Sequence, residues 1–289
     1  MLELTNPGAE VFVPDDAGID EALARTTHLA VGAHPDDIPI MALDGIGQCF
    51  GRHDQWFLGV TVTDGSGSPR GGRYGGYTDE QMRETRMLEE KQAARTGGYG
   101  AALLLDYSSK AVTDPSNADV AADLAAVIGC ARPGVVYTHN PADKHDTHVA
   151  VVLRTVAAIR SLPLVGRPSA LYGCEVWRDL DWMADEDKVI FDVTGHEALS
   201  ASLLGAYDSQ VGGGKRYDLA AAGRRLAHAT FSNASTVDTA RALIYAMDLT
   251  PLIVDDSLSV SAHLASHIEH MTCETVDRIE RLRWPIHRR

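Results

Sequence analysis

HLAVGAHPDDI, residues 28–38, carries the reading of the whole chain. An unbroken apolar run, HLAVG, stops at a glycine and passes into the polar AHPDD, as a buried parallel strand does when it delivers its carboxyl end to a loop. Working outward, the same pattern recurs at Trp56 to Thr63, which stops at Asp64-Gly65, at Ala101 to Leu105, and at Val135 to Thr138, which runs into HNPADKHDTH. Helical spacing fills the gaps: Thr78-Asp79-Glu80 opens a helix reaching Gly97-Gly98, a second runs from about Ser116 to Cys130, and a third from Val149 to Ile159. Strand and helix alternate, which predicts an α/β fold with a Rossmann-like, mostly parallel sheet and helices on both faces. Ligands of such sheets bind at the carboxyl ends of the strands. A C-terminal elaboration from about 165 to 289 is expected to add strands at Ala170 to Trp177 and Lys188 to Val193, then helices at Glu197 to Gln210, Tyr217 to Ala229 and Ser261 to Arg283. Without repeats or a long linker, residues 1–289 read as one domain with its core at about 26–160.

Composition narrows the function classes. The 289 residues hold 40 Asp or Glu against 26 Lys or Arg, a net charge of −14. That balance repels phosphate backbones, and the densest basic stretches are only Arg224-Arg225 and Arg288-Arg289, so no nucleic-acid partner is expected. A 45% hydrophobic content suffices for a packed core. No run approaches the roughly 18–20 apolar residues of a membrane span, and the first residues lack the basic and apolar regions of a signal peptide. No membrane insertion and a cytoplasmic location follow as expectations, while homo-oligomer formation stays open. Cys49, Cys130, Cys174 and Cys273 are too scattered for a zinc ribbon or a disulfide framework and read as core-filling thiols.

Chemistry concentrates at two strand ends. Ala33-His34-Pro35-Asp36-Asp37 sets an imidazole and two carboxylates within four residues. Zinc takes His nitrogen and carboxylate oxygen, and a catalytic site needs three protein ligands with one position open. His34 and Asp37, three apart at a turn into a helix, can face one ion, leaving Asp36 beside it as a base. The third ligand comes from elsewhere, with His139, Asp143, His145, Asp146 and His148 as candidates after another strand. His145 and His148 lie about one helical turn apart and can share a face.

AHPDD after a short apolar strand, Thr63-Asp64-Gly65 after the next, Arg86 and Glu89 opening a helix, His145 to His148, Asp192-Val193-Thr194 and Tyr207 to Gln210 together resemble the LmbE-like (PIG-L) deacetylase family. The resemblance implies a Rossmann-like hydrolase with one Zn2+ per chain, removing the N-acetyl group from an N-acetylglucosamine-type amino sugar or its conjugate. It implies His34, Asp37 and His148 as metal ligands, Asp36 as general base and His145 as acid or oxyanion stabiliser. The family's acid directly before the last His is displaced here to Asp146, which is expected to orient His145 from behind, with Asp143 as the alternative. Asp106 or Ser109 stands where members grip sugar hydroxyls, and Arg86 is expected to touch substrate.

The glycine-rich segment from Gly65 to Gly76 is not a dinucleotide fingerprint and reads as a mobile rim loop, with Arg70, Arg73, Tyr74 and Tyr77 able to touch substrate. His263, His267 and His270 share one face of the last helix but lack the metalloprotease Glu, so a helix surface or subunit contact is expected. The turn from Asp179 to Lys188 reads as solvated loop. Two rival functions share these residues: an amidase cleaving a larger acyl or thiol conjugate, and a non-catalytic α/β protein that binds a metal or ligand in its acidic crevice.

Overall fold

The computed structural model describes residues 2–283. The Arg288-Arg289 pair lies outside them. The chain opens with β1 at Glu10–Phe12, β2 at His28–Gly32 and β3 at Phe57–Thr63, with helices α1 (Ile19–Ala24), α2 (Asp37–Met41) and α3 (Leu43–Cys49) between them. Helix α4 (Asp79–Gly97) leads to β4 (Ala101–Tyr107), and α5 (Ser109–Thr113) and α6 (Asp119–Ala131) lead to β5 (Val135–His139). Then come α7 (Asp146–Ser161), β6 (Ala170–Cys174), β7 (Lys188–Asp192), α8 (Glu197–Gly205), α9 (Asp208–Val211) and α10 (Tyr217–Phe231). The chain closes with β8 (Leu243–Asp248), α11 (Thr250–Val254) and α12 (Val260–Leu282).

Sheet order is β1-β4-β3-β2-β5-β6-β8-β7. The five strands β4, β3, β2, β5 and β6 pair in parallel, as the alternation predicts, while β1 and β8 run antiparallel to their neighbours. Buried apolar side chains form one cluster on each face, the larger around Leu29, Val31, Val60, Leu103 and Val136, the other around Ala30, Ile38, Phe57 and Tyr137. Every residue of β2 and β3 is buried, which is why these strands read as continuous apolar runs rather than alternating ones.

Several expectations need correction. Leu243–Asp248, LIYAMD, is a strand between β6 and β7, although a short apolar run does not by itself separate strand from buried helix. The helix expected over Glu197 to Gln210 is two, α8 and α9. Cys49 and Cys174 are buried, but Cys130 and Cys273 are exposed, so only two of the four thiols fill core. Nor is Arg224-Arg225 a surface stripe, because Arg225 is buried and donates to the carbonyls of Pro39 and Ile40, each at 2.9 Å. His267 and His270 both reach the Asp187 carboxylate, at 3.2 and 2.7 Å, and His263 contacts the Asp248 carbonyl at 2.8 Å. These histidines anchor α12 to its own chain, and the turn before Lys188 is their dock.

Candidate metal centre and active site

Strand order reverses between β2 and β5, whose carboxyl ends lie side by side. The two His/Asp segments follow those two strands and therefore meet at the switch point of the sheet. His34 follows β2, Asp37 starts α2, and His148 sits in the first turn of α7. The three donor atoms form a small triangle: His34 Nδ1 to His148 Nε2 is 3.1 Å, His34 Nδ1 to Asp37 Oδ2 is 3.2 Å, and His148 Nε2 to Asp37 Oδ2 is 3.4 Å. Ligands of a tetrahedral ion at roughly 2.0–2.1 Å lie about 3.3 Å apart, so the triangle matches one face of such a site. Two imidazoles with one carboxylate are also the donor set that zinc takes. Asp37 is held well below the usual carboxylate range: burial pushes it up, but His148 and His139 outweigh that.

Neighbouring groups aim these ligands. The Asp143 carboxylate lies 3.1 Å from His148 Nδ1, so that nitrogen carries the proton and the Nε2 lone pair faces the centre. Asp143 also accepts from the backbone N–H groups of His145 and Trp177. Asp146, expected to orient His145, is exposed and its carboxylate makes no hydrogen bond among the described residues, and the alternative, Asp143, meets the ring of His148 rather than that of His145. The physical reason is helical: Asp146 begins α7, and its side chain projects away from the face that carries His148 inward. His139 is buried and stacked on His148 at 3.9 Å, but its Nε2 accepts from the Ala33 N–H at 2.8 Å, so its lone pair serves the backbone.

His145 caps α7. Its Nδ1 accepts from the Thr147 N–H at 3.3 Å, which puts the ring proton on Nε2. Burial, then His148 and His34, lowers its pKa, so near neutral pH it is an uncharged donor stacked 4.6 Å from His148.

Asp36 has φ 114°, a backbone angle that an L side chain rarely adopts. Arg86 holds it: the buried guanidinium lies 2.9 Å from Asp36 Oδ2, 3.1 Å from Glu89 Oε2, and bonds the Pro35 carbonyl. Burial raises the Asp36 carboxyl to about 8 despite Arg86, with Asp37, Glu90 and Glu89 adding to the rise. Gly65, at φ 71°, packs where a Cβ would stand 2.9 Å from Arg86 Cβ, which explains the glycine of the Thr63-Asp64-Gly65 turn. Glu89 in turn accepts from the Ser209 N–H at 2.6 Å and its hydroxyl at 2.7 Å, and Tyr207 donates to Glu90 at 2.7 Å. Arg86, Glu89 and Glu90 thus tie the AHPDD turn to the segment Tyr207 to Gln210.

Burial pushes Glu90 from 4.5 up to about 7, against the Tyr207 hydrogen bond and Arg86. A carboxyl raised in the folded state is neutral in both states below pH 4.5 and destabilises folding as pH climbs from there through 7. Glu90→Gln is therefore expected to match the wild type near pH 4.5 and to exceed it by about 3 kcal/mol at about pH 8. Urea unfolding of the metal-free proteins at the two pH values checks this; an equal difference at both contradicts the raised pKa.

A cavity of about 640 Å3 opens above the centre. His34, Asp36, Asp37, Arg86 and His145 line its base, and Trp177, Gln210, Lys215, Tyr217 and Arg224 its walls. Arg86 is reached from the cavity, yet its guanidinium is committed to Asp36 and Glu89. Ser109 faces the cavity, whereas Asp106 is paired to Arg83 by two bonds of 2.7 Å. The rim loop contributes Gly65, Gly67, Ser68 and Pro69, while Arg70 and Arg73 pair with Asp79 and Asp208, and Tyr74 donates to Asp208 at 2.6 Å. The loop is pinned. Trp177, Lys215, Tyr217 and Arg224 escaped the sequence reading because they belong to the C-terminal elaboration, far from both motifs in the chain.

Residues 29–159 match the family model described as PIG-L, GlcNAc-PI de-N-acetylase. That stretch is similar to the PIG-L (LmbE-like) family. The match spans β2 through α7 and so contains all five motif residues of the centre. Among solved structures, the fold is similar to N,N'-diacetylchitobiose deacetylase from Pyrococcus horikoshii, at 16% identity and TM-score 0.63, covering 88% of this chain and 89% of that one. It is similar also to the 4-carboxy-2-hydroxymuconate hydratase from Pseudomonas putida, at 15% identity, TM-score 0.58 and coverage of 78% and 96%. A third is the A40926 pseudoaglycone deacetylase, at 17% identity, TM-score 0.57 and coverage of 78% and 97%. No curated protein sequence matches the chain. No helix among the described residues is long and apolar enough to cross a membrane.

Proposed function

We propose that the chain is a zinc-dependent hydrolase that removes the N-acetyl group from an N-acetylglucosamine-type amino sugar or its conjugate. The observation that carries this reading is the triangle of His34, Asp37 and His148 donor atoms, 3.1–3.4 Å apart at the base of a cavity, with a buried carboxyl from Asp36 beside it. The similarity of residues 29–159 to a de-N-acetylase family and the deacetylases among the similar folds support the acetyl group as the part removed.

In this reading His34, Asp37 and His148 would hold one zinc, whose chemistry there would be to polarise an amide carbonyl and acidify water. Asp36 takes the proton from the attacking water on its carboxylate as the water oxygen bonds to the acyl carbon. A carboxyl raised towards neutrality suits both halves of that exchange. His145 donates from Nε2 to the oxygen that gains negative charge. When the C–N bond breaks, the proton on Asp36 passes to the departing nitrogen, leaving acetate and a free amine. Arg86 keeps Asp36 in its strained backbone geometry and in place.

Incubation with N-acetylated sugars is expected to release acetate and amine in equal amounts, from protein that carries about one zinc per chain. Release of a larger acid only identifies the amidase rival. A protein that binds zinc and turns over neither class is a binding protein.

A further inference from the structure

Helix α10 turns one face on the cavity. Tyr217, Ala220, Ala221 and Arg224 all line it, at the i, i+3, i+4, i+7 spacing of a single helical stripe. Two alanines leave a flat floor between a phenol and a guanidinium. Trp177 stands edge-on to Tyr217, ring centroids 6.4 Å apart, and Lys215 Nζ lies 5.3 Å over the Trp177 ring.

The charge on this wall is unmatched. Neither Lys215 nor Arg224 has a carboxylate partner among the described residues, and Arg224 commits one N–H to the Val176 carbonyl at 2.6 Å. Other arginines near the cavity are paired: Arg70 with Asp79, Arg73 with Asp208, Arg86 with Asp36 and Glu89, Arg216 with Asp218. In a chain of net charge −14, two half-buried cations on one cavity wall invert the local sign. An acetyl group fills only a corner of 640 Å3, so the wall faces the part of the substrate that stays with the amine.

We propose that Lys215 and Arg224 form a subsite for an anionic group, a carboxylate or a phosphate, on the amine side of the substrate, with Trp177 and Tyr217 packing against the portion between it and the scissile amide. The inference rests on the deacetylase reading for the position of that amide. It makes the substrate an anionic conjugate rather than a neutral sugar. Arg224 keeps four N–H donors for an oxyanion, enough for a two-pronged grip.

Calorimetric titration of zinc-loaded Asp36→Asn protein, whose slowed turnover spares its ligands during the titration, tests the subsite. The probes are N-acetylglucosamine 1-phosphate, N-acetylmuramic acid and the neutral methyl glycoside of N-acetylglucosamine. At least one anionic probe is expected to bind about 10-fold or more tightly than the neutral one. That preference shrinks as salt rises and is lost with Lys215→Met and Arg224→Gln. Preference for one anionic probe alone identifies phosphate or carboxylate as the group. Lys215→Met removes no hydrogen bond and carries the test if the Arg224 variant is unstable. Equal affinity for all three, no binding of the anionic probes at millimolar concentration, or a preference that survives the substitutions overturns the proposal, the last because the metal alone then holds the anion. Acetate release by the wild type is read separately. Anion preference without acetate keeps the subsite and removes the reaction, and equal kcat/KM for neutral and anionic probes does the reverse.

Discussion

Asp36→Asn is expected to lower kcat by about 10^2- to 10^4-fold, the range for loss of a positioned general base, and to leave the zinc content of the proposed site unchanged. The substitution is chosen on backbone grounds. Position 36 sits at φ 114°, and Asn tolerates positive φ about as well as Asp, whereas Ala does not. An Asn oxygen can still accept from Arg86, so the AHPDD turn stays seated between Arg86 and α2. The fall in kcat then reports the missing proton acceptor rather than a collapsed loop. Initial rates of acetate release, with metal analysis of the same preparation, check it. Full activity removes Asp36 from its role, and loss of the metal would show that Asp36 belongs to the metal-binding set.

His148→Ala is expected to abolish both metal binding and activity. Of the three proposed ligands it is the most deeply built in, fully buried, stacked on His139 at 3.9 Å and oriented by Asp143 at 3.1 Å. Its removal leaves Asp143 without its imidazole partner and takes one corner from the 3.1–3.4 Å triangle. Zinc per chain is expected to fall close to zero, and a chelator applied to the wild type should give the same inactive state, reversed by added zinc. Asp143→Asn acts through His148 and weakens zinc by about 10- to 100-fold, as loss of an orienting partner does. Asp146→Asn changes neither, because its carboxylate is exposed. A His148→Ala protein that keeps its zinc would overturn the ligand assignment, and a reversed order of the two Asp variants would overturn the orienting role of Asp143.

Much of the architecture was legible because its physics is local. Apolar runs ending at Gly32, Thr63, Leu105 and Thr138 mark strands buried on both faces, and such strands need no alternation. The β1 edge strand at Glu10–Phe12 was not read, since three half-buried residues carry no usable period. For β8 the failure was different: LIYAMD is apolar enough, but its place between β6 and β7 is set by antiparallel pairings with residues far away in the chain.

The sequence by itself determined where the two His/Asp segments lie. Two His/Asp segments at the ends of two parallel strands have to meet if those strands are neighbours at a switch point, and β2 and β5 are. Only the tertiary structure decided which groups serve these segments. Which carboxylate orients His148, which nitrogen of His145 keeps its proton, and what Arg86 grips depend on side-chain directions in three dimensions. Asp143 projects inward onto His148 while Asp146 faces solvent, Arg86 is drawn to Asp36 because an unpaired buried carboxylate is costly, and the cationic wall of α10 faces a cavity that neither motif encodes. Burial selects partners by side-chain direction and proximity in space, and neither leaves a local trace in the chain.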